Sequence, residues 1–213
     1  MRRLLAVLLF AAPATAQSFD CTKAVSVTEK EICKDENADL QERDAAVNRL
    51  YGDIQGNPGA GQALSGQSAW IRARDACGAK VQCIRKRYDE RIAILARAAG
   101  DEGGITGTYE YKLSADTDQG TAFVVRESDG SLSATISTVS GPTFHTCDAG
   151  FETAEAIGDA WLYTGAKEDA DFEGKICRIL VRQQKNAIRI DSLNCTSFCG
   201  ARGFFDETYM RAE

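Results

Sequence analysis

The chain has 213 residues, 25 Lys+Arg against 31 Asp+Glu for a net charge of −6, one histidine and eight cysteines. That acidic balance argues against nucleic acid or an anionic membrane surface as partner, because both select a basic face. It suits a basic partner, or simple solubility.

The N-terminus reads as an export leader. Arg2 and Arg3 precede the apolar run Leu4 to Ala12, Pro13 breaks it, and Ala14-Thr15-Ala16 is a small-x-small cleavage signal. Residues 1–16 are therefore expected to be a cleaved signal peptide, with Gln17 as the new N-terminus. The run is far short of the ~20 residues of a membrane helix, and no later stretch is apolar enough, so no membrane insertion is expected. Ser18-Phe19-Asp20 ahead of Cys21 lacks the small or aliphatic residues that precede a lipidated cysteine. A soluble periplasmic or secreted protein is expected. Without Arg2 and Arg3 it carries 23 basic against 31 acidic residues, a net charge near −8.

Exported cysteines in even number read as disulfides. Cys21, Cys33, Cys77 and Cys83 are separated from Cys147, Cys177, Cys195 and Cys199 by a 63-residue gap. Without a bridge across the gap, three pairings are open within each group. Favoured are Cys21–Cys33 and Cys77–Cys83, then Cys147–Cys177 across two strands and Cys195–Cys199 in a tight loop. Their spacings are not those of zinc knuckles, and His145 is the single histidine. No metal or other cofactor is expected.

Residues 17–99 read as helical. Thr28-Glu29-Lys30-Glu31 is a capping-box signal for a short helix ending near Cys33. Leu40, Val47, Leu50, Tyr51 and Ile54 keep helical spacing until Gly56-Asn57-Pro58-Gly59. Ala63, Gln67, Trp70 and Arg74 share one side of the next helix, which Gly78 closes. Val81, Ile84, Tyr88, Ile92 and Leu95 form an apolar stripe about five turns long. So small a bundle has a thin core and needs its disulfides.

Residues 100–105, opening with Gly100-Asp101-Glu102-Gly103-Gly104, read as a linker. Residues 106–213 then alternate with period two, at Tyr109/Tyr111/Leu113, Leu132/Ala134/Ile136, Cys177/Ile179/Val181 and Ile188/Ile190. Asp129-Gly130 marks a hairpin. With further strands over 121–127, 144–154, 158–164 and 203–210, about eight short strands are expected. The fold class is thus α+β in two domains: a disulfide-stapled helical bundle followed by a small antiparallel β-barrel or sandwich.

No reaction is written in the chain. A Ser-His-Asp or Cys-His system would have to use His145, which has no nucleophile signature nearby. Gly66-Gln67-Ser68-Ala69-Trp70 lacks the second glycine of a nucleophile elbow. P-loop and dinucleotide-binding glycine patterns are absent. The reading is a binding protein, not an enzyme. Cys195 to Asp206 stands out, combining cysteines, Phe198, Arg202, Phe204 and Phe205. A rigid loop bearing Arg and an aromatic suits a binding surface; equally, Phe204 or Phe205 would fill a β core. Trp70 and Arg74 lie four apart on one helical face, with Asp75 pairing locally, and read as structural.

Those residues carry a resemblance. Ser18-Phe19-Asp20-Cys21, Glu29-Lys30-Glu31-Ile32-Cys33, Leu40 with Asp44 and Tyr51, Gln67-x2-Trp70-x3-Arg74-Asp75-x-Cys77, and Cys83-Ile84-x3-Tyr88-x2-Arg91-Ile92 are similar in order and spacing to the LprI-type lysozyme-inhibitor N-terminal domain family. Gly56 to Gly61 interrupts where that family has a longer helix. The ending Cys199-Gly200-Ala201-Arg202 with Phe205-Asp206-x2-Tyr209 resembles a domain often appended to this one in envelope proteins. The resemblance implies a periplasmic or secreted inhibitor of lysozyme or of the cell's own peptidoglycan hydrolases. Such an inhibitor would block a cleft whose two carboxylates do the chemistry. The resemblance does not say which domain makes the contact; on the rigid loop, Arg202, Ser197 and Thr196 are the expected contact residues, through charge-assisted bonds to those carboxylates, with Phe198 as the aromatic contact beside them. The alternative is a non-inhibitory envelope module that binds another envelope protein, or peptidoglycan fragments on aromatics such as Trp161 and Tyr163.

Overall fold

The structure, a computed structural model, describes residues 19–113, 117–171, 173–199 and 202–212. The expected leader, Gln17, Ser18 and Gly200-Ala201 lie outside them. Five helices come first: α1 (Val27–Ile32), α2 (Ala38–Ile54), α3 (Gly61–Ser65), α4 (Gln67–Asp75) and α5 (Val81–Ala98). Eight strands follow: β1 (Gly107–Lys112), β2 (Gln119–Arg126), β3 (Leu132–Ser140), β4 (His145–Ile157), β5 (Ala160–Thr164), β6 (Arg178–Gln183), β7 (Ala187–Leu193) and β8 (Glu207–Arg211).

The apolar stripes of α2 and α5 meet as their spacing predicts. Leu40, Leu50 and Ile54 are buried with Ile84, Tyr88, Ile92 and Leu95. Two local readings need correction. The capping box is Ser26/Glu29, two residues earlier than expected: Ser26 Oγ accepts from Glu29 N at 3.0 Å, and Glu29 Oε2 accepts from Ser26 N at 2.9 Å. Thr28 fits the same pattern, but its buried hydroxyl donates instead to the carbonyls of Asp75 and Gly78, tying α1 to the end of α4. The helix expected from Ala63 to Arg74 breaks at Gly66, a poor helix former. Arg91 spans the break, donating to Ala63 O at 2.8 Å and Gln67 Oε1 at 2.9 Å.

The sheet is a closed barrel, which decides between barrel and sandwich. Each strand runs antiparallel to the next, and β1 pairs with β8. Inward residues such as Val124, Ile136, Ile179 and Ile190 are fully buried. Gly120 is required by close approach, since a Cβ there would lie 2.4 Å from the Tyr111 ring. Each end is plugged in the same way. Ile105 and Phe205 are fully buried, and their carbonyls accept from Tyr109 and Tyr209 at 2.7 and 2.9 Å.

The helices lie against the barrel wall. Ala122 to Val125 on β2 are all buried: Ala122 and Val124 face inward, while Phe123 and Val125 complete the helical core. Arg43 stacks 4.6 Å from the Phe123 ring centroid and donates to Thr108 Oγ1 at 2.7 Å, and Arg49 pairs with Glu127 at 3.0 Å. The expected linker is pinned as well. The buried Asp101 carboxylate accepts from the backbone N–H of Ile105 and Thr106, Gly100 O accepts from Arg126, and Gly103 O accepts from Gln183. Asp101→Ala, which orphans two buried donors, should cost about 1–3 kcal/mol in denaturant unfolding. Unchanged stability would mean that these bonds hold nothing.

Candidate protein-contact site

The two ends of the barrel differ. The helices enter at one, among the short connections 127–131, 158–159 and 184–186; the other carries connections 113–118, 141–144, 165–177 and 194–206. All four barrel cysteines sit at this loop end. Their pairing corrects the sequence reading: the bridges are Cys147–Cys199 and Cys177–Cys195, not Cys147–Cys177 and Cys195–Cys199. Register explains this. Arg178 on β6 stands opposite Leu193 on β7, which brings the residue before β6, Cys177, beside the chain leaving β7 at Cys195. β4 pairs with β5 only over Glu155–Ile157. Its earlier stretch is met by the 195–199 segment, through a Cys147/Cys199 bridge and a 3.0 Å bond from Asp148 N to Phe198 O.

The loop is thus held at Cys195 and again at Cys199. Between them Thr196 and Ser197 are exposed, whereas Phe198 turns onto the barrel core. Beyond Cys199 the chain returns at Phe204 to β3, the strand beside β4, where Thr138, the register partner of Cys147, donates through Oγ1 to Phe204 O at 2.8 Å. Asp206 then accepts from Ser192 N at 2.7 Å and sets the start of β8. Arg202 lies between Cys199 and Phe204, exposed, at φ +73°, with no side-chain hydrogen bond or ion pair among the described residues. The structure therefore brings Thr196, Ser197 and Arg202 to one end of the barrel and turns Phe198 inward. His145 Nε2 lies 2.8 Å from Thr143 Oγ1 on the same end. Trp161 and Tyr163 pack against the core: the Trp161 indole donates to Gly130 O, and Tyr163 stacks on Phe151 at 4.5 Å.

The motif residues Trp70, Arg74 and Asp75 belong to a different place, the heart of the helical part. Arg74 is 4% exposed, donates to Tyr88 Oη at 3.2 Å, and pairs with Asp75 at 2.9 Å. Tyr88 donates to the buried Asp44 carboxylate at 2.8 Å. Burial and the neighbouring Asp44 push the Tyr88 pKa far up, so the phenol stays a neutral donor. Burial works against the Arg74 charge, but Tyr88 and Asp75 outweigh it and raise the pKa. Trp70 anchors the group by donating to Arg87 O at 2.8 Å. Arg74, Tyr88 and Asp44 form a buried hydrogen-bonded network, with Trp70 and Asp75 half-buried at its edge.

A cleft of about 820 Å³ lies between α2, α5 and the outer face of β1–β3. It is lined by charges of both signs, including Glu42, Arg43, Arg85 and Asp89. Burial raises the Glu42 pKa, against the lowering effect of a Thr135 hydrogen bond and of Arg43. Among the described residues no group of three or more His, Cys, Asp or Glu is placed to hold a metal ion, and all eight cysteines are in disulfides.

The chain is similar to lipoprotein LprI. The match to the proteins of that name from Mycobacterium bovis and Mycobacterium tuberculosis is 28% identical over 89 residues, 40% of this chain and 44% of each relative. The chain thus spans less than half the length of the curated relatives it matches. No family model and no solved structure matches. This distant, partial likeness agrees in kind with the resemblance carried by the cysteine and Trp70–Arg74 motifs.

Two further loop-end residues, Leu113 and Phe144, are each 62% exposed, and neither stands out in the sequence as a contact residue. Alternation with Tyr109 and Tyr111 puts Leu113 on a strand, yet it falls just beyond β1. The available signal for Phe144 is an aromatic residue in the short Gly141-Pro142-Thr143-Phe144 connection between two strands, where a polar residue or glycine is usual.

Proposed function

We propose that this protein is an extracytoplasmic inhibitor of lysozyme or of other peptidoglycan hydrolases, acting by binding and blocking the catalytic cleft. The observation that carries the reading is the loop at the barrel mouth anchored at Cys195 and Cys199, where Thr196 and Ser197 stand exposed, with Arg202 exposed between Cys199 and Phe204. Anchoring lowers the ordering cost of binding. An exposed guanidinium on a fixed loop suits a cleft that holds two carboxylates. The likeness to LprI and the family resemblance of the helical motifs support the target class. The net charge of −6 favours encounter with a basic enzyme. Four disulfides suit an oxidising compartment. In contrast to a lipoprotein anchored at its first cysteine, this chain has Cys21 bonded to Cys33. The sugar-binding alternative is weakened by Trp161 and Tyr163, which pack against the core.

The test is a wall-lysis assay in which the oxidised chain is titrated into a C-type lysozyme and into the cell's own lytic enzymes. Stoichiometric inhibition is expected from the wild type. Arg202→Ala should weaken it about tenfold or more, the value of a hydrogen bond to a charged group, with thermal stability nearly unchanged. Equal inhibition by the variant would remove Arg202 from the contact; no inhibition of any enzyme by folded protein would overturn the reading.

A further inference from the structure

The non-glycine residues at positive φ among the described ones are Phe144, Asn194 and Arg202, with φ of 53°, 59° and 73°. All three lie in connections at the loop end of the barrel. Asn enters this region readily, but an aromatic residue does not. Strain of this kind persists where surrounding structure holds it, and it clusters at binding sites.

Phe144 is held by its turn. Its N–H donates to Gly141 O at 3.0 Å, closing the connection between β3 and β4, and His145 immediately enters register opposite Ser140. Phe144 is 62% exposed and joins neither core, so core packing does not offset the strain. Leu113, equally exposed, lies on the neighbouring connection. That connection is tied to the same turn by Asp118, whose carboxylate accepts from Gly141 N at 3.0 Å. Arg202 joins them, since its segment runs from Cys199, bonded to Cys147 on β4, to Phe204, hydrogen-bonded to Thr138 on β3. The connections that carry Leu113, Phe144 and Arg202 therefore share the β1–β4 corner of the mouth. By sequence the four connections at this end carry seven Asp and Glu against Lys167, Lys175 and Arg202.

We propose that this corner is a docking face for a basic protein, with Phe144 as its main apolar anchor, Leu113 beside it, and the acidic connections steering the encounter. The inference rests on the inhibitor reading and names the face that such an inhibitor uses. Buried aromatic anchors dominate interface energetics, and surrounding charge acts chiefly on the rate of encounter. Phe144 thus governs the off-rate, and salt governs the on-rate.

The experiment measures binding and inhibition of a C-type lysozyme by the oxidised full chain as wild type, Phe144→Asn, Leu113→Ser and Ile157→Ser. Asn tolerates the left-handed region, so Phe144→Asn should leave the melting temperature unchanged or raise it while weakening binding about 30-fold, mostly through the off-rate. Leu113→Ser should weaken binding less. Ile157→Ser, an exposed apolar position at the opposite end of the barrel, should change nothing. Inhibition that survives both Phe144→Asn and Leu113→Ser would overturn this face and leave the inhibitor reading standing. Binding without inhibition, lost in Phe144→Asn, would keep the face and overturn the inhibitor reading. Absence of both binding and inhibition in the wild type would overturn both.

Discussion

Arg74→Ala should destabilise the protein by about 3–5 kcal/mol, the range for breaking a buried charge pair from one side. The guanidinium lies 5.4, 5.8 and 6.0 Å from the ring centroids of Trp70, Phe19 and Tyr88. It also faces the buried Asp44 carboxylate at 3.7 Å. Alanine removes the cation facing Asp44, the donor to Tyr88 and the stacking partner of three rings. Tyr88→Phe is the milder control: it removes the donor to Asp44 but keeps the ring and the cation, and should cost about 1–3 kcal/mol. Urea unfolding followed by far-UV circular dichroism measures both. A loss below about 1 kcal/mol for Arg74→Ala would show that the network is dispensable and the motif is kept for another reason.

The paired substitution Cys147→Ala with Cys199→Ala should cost about 4 kcal/mol, and Cys177→Ala with Cys195→Ala about 3 kcal/mol. The order follows from chain entropy, because the bridges close separations of 52 and 18 residues. The first pair also carries the functional consequence. Cys147–Cys199 fixes the start of the segment that carries Arg202 at the loop end, so its loss should weaken inhibition even at temperatures where the barrel stays folded. Guanidinium midpoints give the stability order, and lysis assays at low temperature give the functional effect. Equal midpoints for the two pairs would contradict the entropy argument. Inhibition that survives loss of Cys147–Cys199 would contradict the preorganised loop.

Much of the architecture is legible because it depends on local periodicity. Alternation at Tyr109/Tyr111 and Ile188/Ile190 marks strands whether or not the partner strand is known, and Val81 to Leu95 marks a helix in the same way. What depends on register is not legible. The barrel disulfides follow from Arg178 standing opposite Leu193, a fact of strand pairing that no cysteine spacing contains. Ser26 and Thr28 both fit a capping box, and distant carbonyls at Asp75 and Gly78 make the choice by occupying the Thr28 hydroxyl. The apolar run at Ala122 to Val125 records burial on both faces of β2, but its outer partner, the helical core, is visible only in the fold.

At the candidate site the sequence singles out a segment that the fold exposes, but misreads its ring. Thr196, Ser197 and Arg202 are exposed, as a contact surface requires. Phe198 is turned inward because the neighbouring Cys195 and Cys199 are bonded to the barrel and not to each other. Phe144 is hard to read from the sequence because an exposed aromatic at positive φ runs against local preference, and the short Gly141-to-Phe144 connection is its one local signal.

Hydrogen–deuterium exchange of the oxidised chain, alone and with a saturating C-type lysozyme, tests the central claim most directly. Binding through the loop end should slow exchange at 113–118, 141–145 and 194–204 and leave the helices unchanged. Protection confined to α1–α5, with the loop end of the barrel exchanging as in the free protein, would contradict it.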